Sequence, residues 1–348
     1  MVAVTGSTQY ALQLDVTRNI RHLNLQLTKQ NQQLGSGRYA DGLIGVSQRA
    51  LELSQLKAQL GTVTNYKSAV QTAQNRVDMY AFTIEEIIDI ATEAQETMIK
   101  NRDPFFARTA APREQAMVML DRIGNLLQTK DGNRFLFAGI NYTDNPINGQ
   151  LSNIGGGGNV YPPGAVPAAF VPVTGAGSFP AGAYANAAAF FLNPAPSVPG
   201  TYDDFFNTAG TTLYSDDNEL VNYGVSAGEI GFQRVIDAII RFRDATVDID
   251  LDPAGYQARV DDAYEQLMIG IAEIKSIASR NGYKQQQLRE IQERHDRTVD
   301  VLKTRIGSIE NADIAEVSVT IKNLQTALEA SYVITRDSLQ LSLVNYLR

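Results

Sequence analysis

Residues 53–91 read LSQLKAQLGTVTNYKSAVQTAQNRVDMYAFTIEEIIDIA. Alternating steps of three and four along them pick out Leu53, Leu56, Leu60, Val63, Lys67, Val70, Gln74, Val77, Ala81, Ile84, Ile88 and Ala91, ten of the twelve apolar. That period is the seam of one long helix, roughly 58 Å at 1.5 Å per residue. A shorter seam precedes it, through Val16, Ile20, Leu23, Leu27, Gln30 and Leu34, and the glycines at Gly35, Gly37, Gly42 and Gly45 read as the break between the two.

The far end of the chain has the same pattern. Ile314, Val317, Ile321, Leu324 and Leu328 keep the three–four step, and the apolar positions then move to Tyr332, Thr335, Leu339, Leu343 and Tyr346. The passage from Leu328 to Tyr332 adds one residue where a three-step is due, which predicts a local change of supercoil within a continuing helix. Upstream, Tyr264, Leu267, Ile271, Ile274 and Ala278 form another seam, continued by Leu288, Ile291, Val299, Leu302 and Ile306. Shorter helices are predicted over 113–128 and 228–243.

Proline marks the centre. Nine of the twelve Pro fall between Pro146 and Pro199, and none precedes Pro104 or follows Pro253. A helix-interior Pro costs about 3 kcal/mol, so the flanks can be helical and the middle cannot. From Asn145 to Tyr202 no residue is charged, and the apolar pieces there, Ala169–Val173 and Ala189–Leu192, are short and β-prone. A Gly/Pro/Ala linker is one reading of this segment. The aromatic residues Phe170, Phe179, Phe190, Phe191, Phe205 and Phe206 favour a small folded insertion. The expected fold is mainly α: a long helical coiled-coil bundle formed by both chain ends, with a small β/loop-rich central insertion. Its parts are terminal helices at 1–50 and 305–348, a helical rod at 51–140 and 225–304, and the insertion at 141–224.

The 348 residues are 44% apolar and 20% charged, with a formal charge of −8. That balance argues against nucleic acid or an anionic membrane as partner, since both need clustered Lys and Arg. No Cys is present, which removes disulfides, thiolate metal sites and cysteine nucleophiles, and two His are too few for a polyhistidine site. No stretch approaches the ~20 apolar residues of a membrane span. The first residues lack the basic start and apolar run of a secretory leader.

Three constellations invite a chemical reading. Gly224-Val-Ser226-Ala-Gly228 matches the nucleophile elbow G-x-S-x-G, with His295 downstream. A Pro/Gly-rich segment stands where the elbow needs a strand, His295 lies in the charged run Glu293–Arg297 of a solvated helix face, and Ser226 with Glu229 reads as a helix cap. Asp248-x-Asp250-x-Asp252 opens like a calcium loop, but Pro253 takes the glycine position and Arg259 the bidentate glutamate position. An acidic helix start accounts for those residues. The Gly155–Gly158 run has no following Lys-Ser or Lys-Thr, so it is no phosphate loop. The expectation is a protein with no catalytic residue, no metal and no cofactor. Its amide-rich, weakly charged ends suit helices packed against other subunits, or alternatively a self-contained coiled-coil hairpin.

Ile309-Glu-Asn-Ala-Asp-Ile-Ala-Glu-Val317, Ala330-Ser-Tyr-Val-Ile-Thr335 and the closing Leu339–Arg348 resemble the C-terminal helix of the bacterial flagellin superfamily, in particular of its hook–filament junction members. Asp131–Gly139, with Arg134, Phe135, Phe137 and Gly139, is similar to the segment by which those proteins leave the helical core, and Gln33–Arg38 to the turn after their first helix. The Asp-Asp-Ala-Ala-Gly pattern that follows that turn in flagellins is replaced by Tyr39–Gly45. The resemblance implies a secreted structural subunit of the flagellum that joins hook to filament. It implies a homo-oligomeric ring or tube, adjoining hook-associated or filament subunits, an export chaperone, and no nucleic acid or membrane insertion. A filament-forming flagellin is the alternative. The residues expected at the assembly interface are Val16, Ile20, Leu23, Leu27, Leu34, Ile314, Val317, Ile321, Leu324, Leu328, Tyr332, Leu339 and Leu343.

Overall fold

The computed structural model describes residues 3–39, 49–139, 142–143, 145–147, 151–153, 211–246, 249–250 and 252–346, with backbone alone at 3–13, 153 and 338–346. Ala169–Val173, Ala189–Leu192, the six insertion phenylalanines, Gly155–Gly158, Gly42, Gly45 and Asp248 lie outside the described residues. The fold is mainly α. In order come α1 (Ala3–Ser36), α2 (Ala50–Lys100), α3 (Pro104–Ala110), α4 (Pro112–Leu127), β1 (Lys130–Asp131), β2 (Arg134–Phe135), a 3-10 turn (Leu151–Asn153), β3 (Thr212–Asp216), β4 (Glu219–Asn222), α5 (Ile230–Ala245), α6 (Pro253–Glu310) and α7 (Ile314–Tyr346). They form two compact units, one of residues 1–64 and 297–348, the other of residues 65–296.

In the first unit α1 packs along α7. Helix α1 stops because Gly37 takes φ 67°, a left-handed conformation that a side chain would strain. The chain then fastens to the α6–α7 turn: Tyr39 N–H donates to the Glu310 carbonyl at 3.0 Å and Ala312 N–H to the Gly37 carbonyl at 3.0 Å. The Asp313 carboxylate accepts from Ala315 N–H at 2.8 Å and starts α7. Leu53 and Leu56 of α2 pack with Leu302, Ile306 and Ile309 of α6 in a small apolar cluster.

The second unit holds the main core. Along α2 the buried seam runs through Val70, Ala73, Val77, Tyr80, Ile84, Ile87, Ala91 and Ala94, with Thr83, Ile90, Thr97 and Met98 buried beside it. Gln74, Ala81 and Ile88, expected on the seam, are only partly buried. The helix therefore keeps its heptad but turns by one residue after Val70, because α4, α5 and α6 share that core with it. Helix α4 closely matches the helix predicted over 113–128, and α5 starts two residues later than the one predicted from 228. Helix α5 crosses α6 at close range: a Cβ on Gly231 would meet Ile274 N at 2.9 Å, and one on Gly270 would meet Val235 N at 3.0 Å. Strands β3 and β4 pair antiparallel, with Tyr214 opposite Leu220 and a bulge at Ser215.

Candidate assembly interface

The residues of α1 that turn toward α7 follow from its period. Val16, Ile20, Leu23, Leu27, Gln30 and Gln33 are half-buried, and none of the side chains from Leu14 to Ser36 is fully buried. Leu34 is exposed, since Gln33 takes the last turn of the seam. On α7, Val317, Ile321 and Leu328 are buried and Leu324 is half-buried; Leu27 packs against the small cluster that Ala312, Val317 and Ile321 form. Ile314 is exposed, in the first turn that Asp313 caps.

The expected shift to Tyr332 does not occur. Ser331 and Thr335 are half-buried and carry on the three–four step from Leu328, while Tyr332 is 54% exposed. The Ser331 and Thr335 hydroxyls donate to the carbonyls of Ala327 and Ser331 at 2.8 and 2.7 Å. With their hydrogen bonds met inside the helix, they line a seam at little cost. The step of three had already indicated Ser331; the apolar bulk of Tyr332 is the misleading signal. Leu339 and Leu343 lie on α7, where only the backbone is described.

Apolar side chains also lie on the far side of this pair. Leu25 is 59% exposed and Val319 60%, each two residues past a seam position and so about 200° around its helix. Leu14, Val333 and Ile334 are exposed as well. Charge is thin here, with Asp15, Arg18, Arg21 and Lys29 on α1 against Glu316, Lys322, Glu329, Arg336 and Asp337 on α7. An outer surface with apolar groups and few charges lowers the cost of covering it with another chain.

The motif after α4 lies in the second unit. Phe137 is fully buried, edge-on to Tyr80 at 5.1 Å and Phe232 at 5.9 Å, and its carbonyl accepts from Ala227 N–H at 2.8 Å. The Tyr80 hydroxyl donates to the Leu136 carbonyl at 2.5 Å, and burial pushes its phenol up to about 12. Arg134 lies 3.9 Å over the Tyr142 ring, and Phe135 carries Lys130 4.3 Å above its own ring. Gly139 closes the segment at φ 60°. Phe137 is thus a core anchor, while Arg134 and Phe135 stay half-buried.

His295, Ser226, Asp250 and Asp252 each have a structural partner. His295 is buried, contrary to the expected solvated face; its Nε2 lies 2.8 Å from the Ser215 carbonyl and its ring stacks on Tyr66. Ser226 does not cap α5: its hydroxyl accepts from Gly228 N–H at 3.2 Å, and Glu229 takes the cap position while its carboxylate pairs with Arg280 at 2.6 Å. Asp252 accepts from Gly255 N–H at 2.9 Å at the start of α6, and Asp250 pairs with Arg108 at 2.7 Å. Among the described residues, no group of three or more His, Cys, Asp or Glu could hold a metal ion. No described helix is long and apolar enough to cross a membrane.

The class is therefore a mainly α, coiled-coil protein whose N- and C-terminal helices pair with each other. Residues 264–347, most of α6 and α7, match the family model of the bacterial flagellin C-terminal helical region. Among solved structures, the chain is similar to one described as a flagellar hook-associated protein of Vibrio parahaemolyticus. That match has 10% identity and a TM-score of 0.48, and covers 75% of this chain and 97% of that one. No curated protein matches the sequence.

Proposed function

We propose that this protein is a structural subunit of the bacterial flagellum that joins hook to filament by polymerising through its paired terminal helices. The observation that carries the reading is the apolar outer surface of the α1–α7 pair, with Leu25 and Val319 turned away from a seam whose α1 side chains are themselves only half-buried. Neighbouring copies that cover this surface remove apolar area from water, at about 25 cal/mol per Å². The match over 264–347 supports the flagellar setting, and the likeness of Arg134, Phe135, Phe137 and Gly139 to junction-type proteins supports the narrower role. In this reading residues 1–50 and 305–348 are the assembling part, and 141–224 is an outward insertion. The chain leaves the cell through the flagellar export channel, escorted by a chaperone. The partners are like copies in a ring and the adjoining hook-associated or filament subunits.

Gold-labelled antibody on isolated flagella tests this. A narrow band of label where hook meets filament is expected. Label along the whole filament overturns the junction role in favour of a filament flagellin, and flagella without label overturn the flagellar role itself.

A further inference from the structure

Buried positions run along α2 as Val70, Ala73 and Val77, preceded by half-buried Leu60, Val63, Tyr66 and Lys67, so the seam takes two successive three-residue steps between Leu60 and Ala73, with Tyr66 and Lys67 side by side at the changeover. Along α6 they run Leu288, Ile291, His295, Val299 and Leu302, with two four-residue steps centred on His295. Two successive threes overwind a seam and two successive fours unwind it. Both irregularities fall at one level, since Lys67 forms an ion pair with Asp296 there. The apolar core of the second unit has ended at Val70 and Ile291, and the seam beyond it is polar: Tyr66, Lys67, Gln292, His295 and Asp296. The Gln292 Oε1 is buried with no hydrogen-bond partner among the described residues. A partly satisfied polar layer is a poor adhesive, so α2 and α6 hold each other weakly at this level.

The β3–β4 hairpin is fastened to both helices here. Tyr66 of α2 donates its hydroxyl to Asp217 in the hairpin turn at 2.7 Å. On α6, Arg294 pairs with Glu219, and His295 Nε2 lies 2.8 Å from the Ser215 carbonyl. The bulge at Ser215 takes this residue out of the strand register, and His295 donates to its carbonyl. The geometry points to a clasp: the hairpin fixes α2 against α6 across a break in their seam, and opening it frees the two helices to shift at that level. The Tyr66–Asp217 and Arg294–Glu219 fastenings are solvent-exposed, which makes this end of the clasp releasable while Val221 stays in the core.

Hydrogen exchange on the full chain tests this with Tyr66→Phe/Glu219→Gln, which cuts the exposed fastenings and keeps the shapes. Amides of 65–73 and 291–296 are expected to exchange about tenfold faster together with those of 212–222, while 84–94 is unchanged. Acceleration confined to 212–222, no acceleration at all, or equal acceleration across 65–296 overturns the clasp. His295→Gln and His295→Ala provide the second readout. Gln keeps an N–H for the Ser215 carbonyl and is expected to protect 291–296 better than Ala does, and equal loss in the two overturns the proposal.

Discussion

Helix α5 buries fourteen of its 16 residues, whereas α1 buries none of the side chains from Leu14 to Ser36. The two helices differ in how many neighbours one chain can supply. Helix α5 is covered all round, to the extent of enclosing Asp237, Arg241 and Arg243. Arg241 bridges Asp237 at 2.6 Å and Asp262 at 2.8 Å, so a charge that would be ruinous alone is paired on two sides. Among the described residues helix α1 packs along α7, and shows it a stripe with Gln30 and Gln33 at one end. Cooperative stability belongs to the first arrangement, and the second depends on what else packs there.

Phe137→Ala is expected to have the largest effect on the second unit. This ring has no exposure and touches Tyr80 and Phe232, so its loss is expected to cost about 3–5 kcal/mol in urea unfolding followed by tyrosine fluorescence. A cost below about 1 kcal/mol would show that the second unit is not the tightly packed partner of the contrast.

Alkaline unfolding sharpens the same point. Burial pushes the phenols of Tyr80 and Tyr256 up to about 12 from 10.0. Below pH 10 each phenol is neutral whether folded or not, and its contribution is whole. Between pH 10 and 12 the unfolded chain releases protons that the folded one retains, so stability falls as pH rises. Each group is expected to withdraw about 2–3 kcal/mol by pH 12. Tyr80→Phe should flatten the alkaline limb by roughly half, and a limb unchanged by the substitution would contradict the burial of that hydroxyl.

Brief proteolysis of dilute protein compares the units directly. Roughly the first and last forty residues are expected to be cut first, leaving a fragment that contains the residues of α4 and α5. Equal resistance throughout would mean that the α1–α7 pair is as stable as the core, and the contrast would fail.

The helices were legible because apolar spacing reports the buried face directly: Val16, Ile20, Leu23 and Leu27 turn inward as their period requires. The errors came where distant chain segments decide burial. His295 lies among Glu293, Arg294, Asp296 and Arg297, a pattern that signals solvent, yet a hairpin some eighty residues earlier covers it. Ser226 and Glu229 have the spacing of a capping box, but α5 begins at Ile230, after the turn that Ser226 serves. On α2, the changed face from Val70 onward lies in a core shared with α4, α5 and α6, which no local pattern encodes. Tyr332 departs from the α1–α7 seam in the opposite way, where period outweighs residue type.

The smallest expected effect on stability falls on the outer face of the terminal pair. Leu25→Ser and Val319→Ser replace side chains that are already more than half exposed, so each should change unfolding free energy by no more than about 0.5 kcal/mol. If these groups are covered only by neighbouring copies, the same substitutions act on polymerisation, where a fully desolvated Leu or Val contributes about 1.5–3 kcal/mol per contact. Repeated at every subunit of a ring or tube, that loss should raise the concentration needed for assembly at least tenfold, measured by sedimentation of seeded protein. A substitution that unfolds the isolated chain would place Leu25 or Val319 in the chain's own packing. One that leaves both folding and assembly intact would show that this face meets only water.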